Sequence, residues 1–377
     1  MHIAIDAHSV GAQLAGNESY AANLIEALAE IDQTNLYTLY VTKPGAIDRF
    51  ANRWANFTVR QTLPHTPLVR IPLTLSAELR RHPVDVLHVQ FTAPPFAPCP
   101  VVTTIHDLSF EHLPETFKRR SRTQLRITVR RTARQAALIL TLSEFSRRDI
   151  IETYAIDPER VLVTPAAAPT HFKPVVDETQ LKGMRERYGI RPNYFLSLGS
   201  IQPRKNLTRL IEAHSSLRAA RPGDELPQLV IAGKRGWLDR EVFRAAQQDG
   251  LNESVKFIGY VPEEDLPALY SGAMCFVYPS YFEGFGLPVL EAMQCGAPVI
   301  AGNQTSLPEV AGNAALFFDP FDTRALREGI ARVVDQPNYR AELRVKGIER
   351  AAEFSWIKTA RLTLKAYERA AASRRAQ

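Results

Sequence analysis

Two glutamates, Glu283 and Glu291, are separated by seven residues that include two glycines. A strand is predicted to end at Tyr278, and a helix is predicted to begin near Leu287 with Pro288 in its first turn, where proline is tolerated. The free N–H groups of a helix start can hold an anion, and one carboxylate can accept from both vicinal hydroxyls of a ribose. We therefore expect Glu291 to bind a ribose and Glu283 a sugar hydroxyl. The backbone N–H groups expected to hold a phosphate are those of Phe285, Gly286 and Leu287.

Two adjacent cations, Arg204 and Lys205, follow Gly199 and a predicted strand at Phe195–Leu198. In parallel α/β sheets ligands bind just past the carboxyl ends of the strands. Guanidinium and ammonium groups at that point suit a diphosphate. An exposed basic turn is the alternative explanation.

The first half of the chain contributes a histidine and a glycine loop. His106 follows a predicted strand at Val101–Ile105 and could donate to a sugar hydroxyl or to a departing phosphate oxygen; a purely structural histidine is the alternative. The loop Ser9–Tyr20 contains Gly16 and Asn17 before a predicted helix and could bring N–H groups against a phosphate. A simple tight turn is the alternative explanation for the glycine.

Short β-branched runs alternate with helical patterns along the whole chain, which predicts βαβ units and parallel sheets. Each half is expected to form its own doubly wound, Rossmann-like α/β domain, the two domains facing a central crevice. The predicted domains are 1–173 and 174–355, and a final helix within 356–377 is expected to return to the first domain. The predicted strands lie at Ile3–Ile5, Leu36–Val41, Val84–Val89, Val101–Ile105, Leu138–Thr141, Val161–Val163, Phe195–Leu198, Leu229–Ala232, Val255–Ile258, Cys275–Tyr278, Val299–Ala301 and Ala315–Phe318.

The composition restricts the class of protein. The chain has 377 residues and only three cysteines, which are widely spaced and form no zinc or disulfide pattern. The amino-terminal segment has no signal-peptide layout, and no apolar run reaches the ~18 residues of a membrane span. We expect a cytoplasmic protein without a bound metal.

A net charge of +6 favours an anionic partner. Basic residues repeat at every fourth position of a predicted helix, at Lys118, Arg122, Arg126, Arg130 and Arg134. The segment Lys118–Arg134 is therefore either a solvated helix face or a peripheral contact with an anionic membrane. We expect no nucleic acid partner.

Several segments together resemble one family. The glutamate pair around Gly-Phe-Gly-Leu-Pro-Val-Leu resembles the signature of the retaining family-four glycosyltransferases, which have the two-Rossmann-domain type B fold. The resemblance extends over nearly the whole chain. Its other segments are Thr104–Leu108, Thr141–Ser146, Ser197–Asn206 and Phe354–Trp356.

The resemblance implies roles that the residues alone do not give. It implies that Arg204 and Lys205 neutralise a diphosphate leaving group, that the loop at Gly16 closes over the donor, and that the backbone at Tyr260 and Val261 receives the nucleobase. The implied reaction moves a hexose of mannose or glucose type from a nucleoside-diphosphate sugar, such as GDP-mannose or UDP-glucose. The implied acceptor is a saccharide or a lipid-linked saccharide in polysaccharide or glycoconjugate synthesis, and no additional cofactor is required.

Three alternatives share parts of this pattern. A sugar-nucleotide epimerase has the same architecture, but the glutamate pair with Arg204 and Lys205 resembles the transferases more. A phosphorylase needs a lysine that holds pyridoxal phosphate, and no segment resembles one. A non-catalytic nucleotide-sugar-binding module remains open and differs from an enzyme by the absence of turnover.

Overall fold

The computed structural model describes residues 1–12, 16–223, 225–236, 239–247 and 253–375. The chain divides into two compact units, Met1–Ala166 together with Ser355–Gln377, and Ala167–Phe354. The predicted boundary at residue 173 thus lies inside the second unit.

Each unit is built on its own sheet, and every strand pairing is parallel. Within the described residues the strands of the first unit are β1 (His2–Asp6), β2 (Leu36–Val41), β3 (Phe57–Gln61), β4 (Val86–Gln90), β5 (Val101–Thr104), β6 (Leu138–Thr141) and β7 (Val161–Val163). Those of the second unit are β8 (Tyr194–Leu198), β9 (Gln228–Ala232), β10 (Val255–Gly259), β11 (Ala273–Tyr278), β12 (Val299–Gly302) and β13 (Ala315–Phe318).

Helices lie between most of the consecutive strands. They are α1 (Gly16–Ile31), α2 (Pro44–Phe50), α3 (Pro67–Val69), α4 (Ser76–Arg81), α5 (Ser109–His112), α6 (Arg119–Gln135), α7 (Glu144–Tyr154), α8 (Glu178–Tyr188), α9 (Leu207–Ala219), α10 (Arg240–Ala246), α11 (Leu266–Ser271), α12 (Leu287–Gln294), α13 (Leu307–Ala311), α14 (Thr323–Asp335), α15 (Pro337–Ala352) and α16 (Trp356–Arg375). The terminal helix α16 belongs to the first unit, where it packs against α1 and buries Tyr367.

The predicted alternation of strands and helices is confirmed, and every predicted strand overlaps an observed one. The prediction missed β3, which lies at the edge of the first sheet beside β2. Its sequence, Phe-Thr-Val-Arg-Gln, is half polar, and only Phe57 is buried. An edge strand that is covered on one side needs no long apolar run, so β-branched composition alone does not reveal it.

The strand orders place one reversal point in each sheet. The first sheet runs β3-β2-β1-β4-β5-β6-β7 and the second β10-β9-β8-β11-β12-β13. The order reverses between β1 and β4 in the first unit, and between β8 and β11 in the second. Ligands of open α/β sheets bind at the carboxyl ends of strands at such a point. The residues that follow β1, β4, β8 and β11 are therefore the candidates for contact with a ligand.

Candidate functional site

The reversal point of the second unit brings together two segments that are far apart in the chain. A short 3₁₀ turn, Pro203–Lys205, follows β8, and the loop that contains Glu283 follows β11. The two segments are joined through the carbonyl of Arg204, which accepts from the N–H of Tyr281 at 3.1 Å and lies 2.9 Å from the hydroxyl oxygen of Ser280. The backbone thus fixes both cations beside the glutamate loop.

Glu283 is the centre of this cluster. Its Oε1 lies 2.6 Å from Lys205 Nζ, and its Oε2 lies 2.8 Å from an Arg204 guanidinium nitrogen. The hydroxyls of Ser280 and Tyr278 donate to Oε1 at 2.6 and 3.1 Å. The carboxylate is 6% exposed, and Lys205 is 8% exposed. The structure therefore brings two cations and a carboxylate together, with the carboxylate paired to both cations.

The charges around Glu283 control its ionisation. Burial by itself raises a carboxyl pKa, but Arg204 and Lys205 outweigh burial and lower the pKa of Glu283 to about 2. Arg204, Lys205 and Glu283 together carry one net positive charge. A diphosphate that enters this cluster would compete with Glu283 for the same two cations.

Glu291 lies just beyond the first turn of α12, and its neighbours differ from those of Glu283. It is 8% exposed and accepts a hydrogen bond from the Tyr270 hydroxyl at 2.9 Å. Burial raises the pKa of Glu291 to about 7, although the Tyr270 hydrogen bond opposes the rise. Near neutral pH this carboxyl is therefore divided between its protonated and ionised forms.

The start of α12 is shaped by Gly286, which has a backbone conformation that residues with a side chain rarely adopt. Gly286 precedes the helix with a φ of 99°, and a Cβ at this position would lie 2.5 Å from the Leu307 side chain. No side chain caps this helix start. Phe285 is buried against Phe354, with 5.9 Å between ring centroids. The predicted helix start at Leu287 with Pro288 in the first turn is confirmed.

The ends of β8, β9 and β10 meet through close backbone contacts. A Cβ on Gly233 would lie 2.0 Å from the Gly199 carbonyl oxygen, and the Gly233 N–H donates to the Gly259 carbonyl at 2.7 Å. Beyond this contact Tyr260 is 56% exposed, with Lys234 Nζ 4.6 Å from the centre of its ring. The next residue, Val261, is buried. At the position where the backbone was expected to receive a base, the side chain of Tyr260 is therefore exposed and that of Val261 is buried.

In the first unit the predicted site residues form a separate group. His106 follows β5, and its Nε2 lies 2.9 Å from Gln90 Oε1. Its ring meets Tyr20 edge-on at 4.8 Å between centroids. Burial lowers the pKa of His106 to about 4, with Asp107 acting in the opposite direction. His106 is therefore neutral at physiological pH.

The loop after β1 reaches the same group. Gly16 is the exposed first residue of α1, with open space where a side chain would lie. The Asn17 carbonyl accepts from the Ser9 hydroxyl and from Gln90 Nε2, both at 3.2 Å. Residues 13–15 of the predicted loop lie outside the described residues. The loop is thus held to the sheet by a glutamine that the sequence analysis did not select.

Two residues that the sequence analysis did not select as site residues each lie at the carboxyl end of a buried strand. Gln90 is the last residue of β4 and Tyr278 the last residue of β11, each a polar group that ends a buried strand. That position could have identified both. Tyr270, on α11, carries no such signal, because its contact with Glu291 depends on how α11 packs against α12.

The basic segment on α6 is less free than its sequence indicates. Arg126 Nε lies 2.6 Å from Glu111, and Arg122 Nε donates to the Phe110 carbonyl at 3.0 Å. Not every cation of this segment is uncompensated, because Glu111 of α5 pairs with Arg126. The apolar stripe of the helix, which includes Val129 and Ala133, is buried in the first unit's core. Arg126, Arg130, Arg131 and Arg134 border a surface depression of about 490 Å³.

The described residues contain neither a group of metal ligands nor a membrane-spanning helix. Nowhere in these ranges do three or more histidine, cysteine, aspartate or glutamate side chains gather as a metal site would require. Within the same ranges, no helix combines the length and apolar composition that a membrane span requires.

Family models match both halves of the chain. Residues 184–352 match the model described as "Glycosyl transferases group 1", and residues 15–171 match the model described as "Glycosyltransferase Family 4". O-antigen chain mannosyltransferase B of Escherichia coli is 35% identical over 271 residues, which are 71% of this chain and 70% of that protein. Serotype-specific mannosyltransferase WbdA of Escherichia coli is 36% identical over 243 residues, but these are only 29% of WbdA.

Solved structures share the fold over almost the full length. Sucrose-phosphate synthase from Thermosynechococcus elongatus superposes with a TM-score of 0.80, at 21% identity and 99% coverage of both chains. Anabaena Alr3699/HepE, solved in complex with UDP and glucose, gives a TM-score of 0.76 at 18% identity, covering 97% of this chain and 99% of that one. The predicted fold class, with two parallel-sheet α/β domains, is confirmed.

Proposed function

The chain belongs to the family-four-like glycosyltransferases, and on this premise we propose that it moves a mannosyl residue from a nucleoside-diphosphate donor to a growing saccharide. The names of the two Escherichia coli relatives support mannose. The acceptor we propose is a saccharide or a lipid-linked saccharide of a polysaccharide, and the donor GDP-mannose, with UDP-glucose as the competing candidate.

The observation that carries this proposal is the pairing of Arg204 and Lys205 with one carboxylate at the sheet reversal point. Two cations at 2.8 and 2.6 Å from Glu283 form a preassembled site for a group with at least two negative oxygens. A diphosphate is such a group. When it displaces the carboxylate from the cations, Glu283 becomes free to accept a hydrogen bond from a hydroxyl of the transferred sugar.

The remaining residues of the second unit complete the donor site. We assign the ribose hydroxyls to the ionised form of Glu291. The N–H groups at Phe285–Leu287 and the Gly199 turn would contact phosphate oxygens, because the start of α12 offers an uncapped positive dipole. The base would lie at Tyr260 and Val261.

In the first unit we assign the acceptor sugar to the carboxyl edge of the sheet. There His106 would contact a sugar hydroxyl, whereas the backbone N–H groups of the exposed helix start at Gly16 and Asn17 would serve a donor phosphate, as the resemblance implies. The glycosyl bond to the phosphate oxygen breaks while the acceptor oxygen attacks the anomeric carbon from the same face. The acceptor proton passes to the leaving phosphate, and the anomeric configuration is retained.

We also propose that protein cations take the place of a divalent ion. Arg204 and Lys205 can stabilise the charge that grows on the leaving diphosphate. Transfer should therefore proceed at an unchanged rate in the presence of a chelator. Complete loss of transfer in chelator, restored by magnesium or manganese, would contradict this part of the proposal.

A peripheral contact with anionic lipid is proposed for Lys118–Arg134, on the cytoplasmic side of a membrane. The exposed arginines beside the depression on α6 support it, at ~1 kcal/mol for each basic residue near the surface. Co-sedimentation with anionic and neutral vesicles tests it. Equal pelleting with both, or none, means that the face is only solvated.

The proposed function is tested by a turnover panel with GDP-mannose, UDP-glucose and their free nucleoside diphosphates. We expect release of the nucleoside diphosphate from GDP-mannose when a mannose-containing oligosaccharide is supplied, with a product of retained configuration. Binding without release from any donor, over a range of acceptors, would favour a non-catalytic binding module.

A further inference from the structure

Gln90 is buried at the end of β4 and joins three parts of the first unit's candidate site. Its carboxamide contacts the His106 ring, the Ser9 hydroxyl and the Asn17 carbonyl at 2.9, 3.1 and 3.2 Å. These partners follow β5 and β1, so a single side chain spans the strands on either side of β4. Neither its sequence position nor the family comparison assigned it a role.

The orientation of the Gln90 amide follows from its partners. The Asn17 carbonyl oxygen can only accept, so the nitrogen of the Gln90 amide must face it. The Ser9 hydroxyl gives its own proton to the same carbonyl at 3.2 Å and therefore also accepts from Gln90. The amide oxygen is then left to face His106, and it can only accept.

The orientation of the amide determines the proton position on His106. An accepting oxygen 2.9 Å from Nε2 requires that Nε2 carry the proton. In a neutral imidazole the other nitrogen, Nδ1, is then an acceptor. His106 keeps part of its surface exposed, and no partner of Nδ1 occurs among the described residues.

The backbone next to Gln90 also indicates a constrained arrangement. Phe91 has a φ of 62°, in the left-handed region that a bulky residue rarely adopts. Its N–H donates to the Thr104 carbonyl at 2.9 Å, and its ring lies 5.3 Å from the His106 ring. Such outliers persist where the surrounding structure holds them, and they concentrate at functional sites.

We propose that Gln90 is a positioning residue that holds His106 in its Nε2–H tautomer, so that Nδ1 accepts a hydrogen bond from a substrate hydroxyl. This inference rests on the proposed contact between His106 and a sugar. It also reverses the direction expected from the sequence, in which His106 donated. The glutamine serves as a neutral acceptor, which fixes the ring without favouring the imidazolium form.

Three titratable groups face the His106 ring and must be considered in any pH measurement. Asp107 lies beside it, and its charge favours protonation of the ring. His88 on β4 is buried, and burial lowers its pKa to about 3. Tyr20 on α1 is also buried, and burial raises its pKa to about 12. His88 and Tyr20 are therefore both uncharged between pH 5 and 8.

The proton position can be read directly from ring-nitrogen NMR spectra of the full chain labelled with ¹⁵N-histidine, with His106→Asn used for assignment. We expect His106 to show a protonated Nε2 and an unprotonated Nδ1 from pH 8 down to about pH 5. A protonated Nδ1 in the wild-type protein would overturn the proposal. This readout does not depend on turnover, so it stands even if the proposed reaction is wrong.

Two substitutions at Gln90 separate positioning from mere packing. Gln90→Glu places a carboxylate against Nε2–H, and we expect the titration of His106 to move up by at least about one pH unit. The acid limb of the transfer rate should move with it. Gln90→Leu should leave a mixture of both tautomers. Gln33→Leu, at an exposed glutamine of the same unit, is the matched control and should leave the spectrum unchanged. A single unchanged tautomer in Gln90→Leu would also overturn the proposal.

Discussion

Glu283 and Glu291 lie in one strand-turn-helix segment of the second unit, and they differ in the charges that face each carboxylate. Glu283 is paired with Arg204 and Lys205, which lower its pKa to about 2. Glu291 faces the Tyr270 hydroxyl and, among the residues that the structure describes, no cation, and burial raises its pKa to about 7. Both side chains are buried to a similar extent. The neighbouring cations, rather than the extent of burial, therefore decide which carboxylate stays ionised.

The two environments suit different tasks in a glycosyltransferase. The carboxylate of Glu283 holds two cations in place, and we propose that a diphosphate displaces it. The carboxyl of Glu291 is poorly compensated in the free protein, so donors from a ribose would supply the hydrogen bonds that its ionised form needs. Substitutions that remove one environment at a time can therefore separate the two tasks.

The largest effect is expected when a cation is removed. Arg204→Ala and Lys205→Ala each delete a charge-assisted contact worth roughly 1.5–3 kcal/mol. At about 1.4 kcal/mol for each factor of ten, turnover should fall at least about tenfold. Steady-state transfer assays measure it, with Lys182→Ala as the control at an exposed lysine of α8. Near wild-type rates in both cation variants would remove them from the diphosphate site.

A smaller loss is expected for Glu283→Gln. The amide keeps the size of the side chain but lacks the negative charge with which the displaced carboxylate would accept a hydrogen bond from the sugar. Transfer at saturating donor should therefore fall severalfold. Binding of the free nucleoside diphosphate should be unchanged or stronger, because the cations lose their competing carboxylate. Weaker nucleotide binding with normal transfer would reverse the assigned roles.

The smallest effect is on the stability of the ligand-free protein. A raised pKa means that the protonated form of Glu291 stabilises the fold, and that this contribution is lost as pH rises from about 4.5 through about 7. Glu291→Gln does not ionise, so its melting temperature relative to wild type should be higher by a few degrees at pH 8.5 than at pH 5. Thermal unfolding at both pH values checks this. If the two melting temperatures differed equally at pH 5 and pH 8.5, ionisation of Glu291 would not destabilise the fold.

Much of this arrangement could be predicted from the sequence. Strand periodicity located both sheets, and the position of Arg204, Lys205 and Glu283 after strands indicated one sheet edge. The pairing among them spans 78 residues and depends on β8 lying next to β11, which periodicity does not determine. The contact of Tyr270 with Glu291 depends on helix packing for the same reason.

In the first unit, too, some site residues could be predicted from strand and helix positions, and others depend on how the strands pack. His106 and Gly16 were identified from their positions after a strand and before a helix. The glutamine that joins them, Gln90, reads only as the polar end of a strand, and its role emerges when β1, β4 and β5 are placed side by side. Strand β3 was missed because an edge strand tolerates polar residues.

The most direct test of the account is calorimetric titration of GDP into wild type, Glu291→Gln and Glu283→Gln between pH 6 and 8. A ligand that requires an ionised carboxylate with a pKa of about 7 should bind wild type about tenfold more weakly at pH 6 than at pH 8. The nucleotide's own titration is common to all three proteins and cancels in the comparison. The account predicts that this extra pH dependence persists in Glu283→Gln and disappears in Glu291→Gln, which binds more weakly at pH 8. Identical affinities and pH profiles for wild type and Glu291→Gln would contradict it.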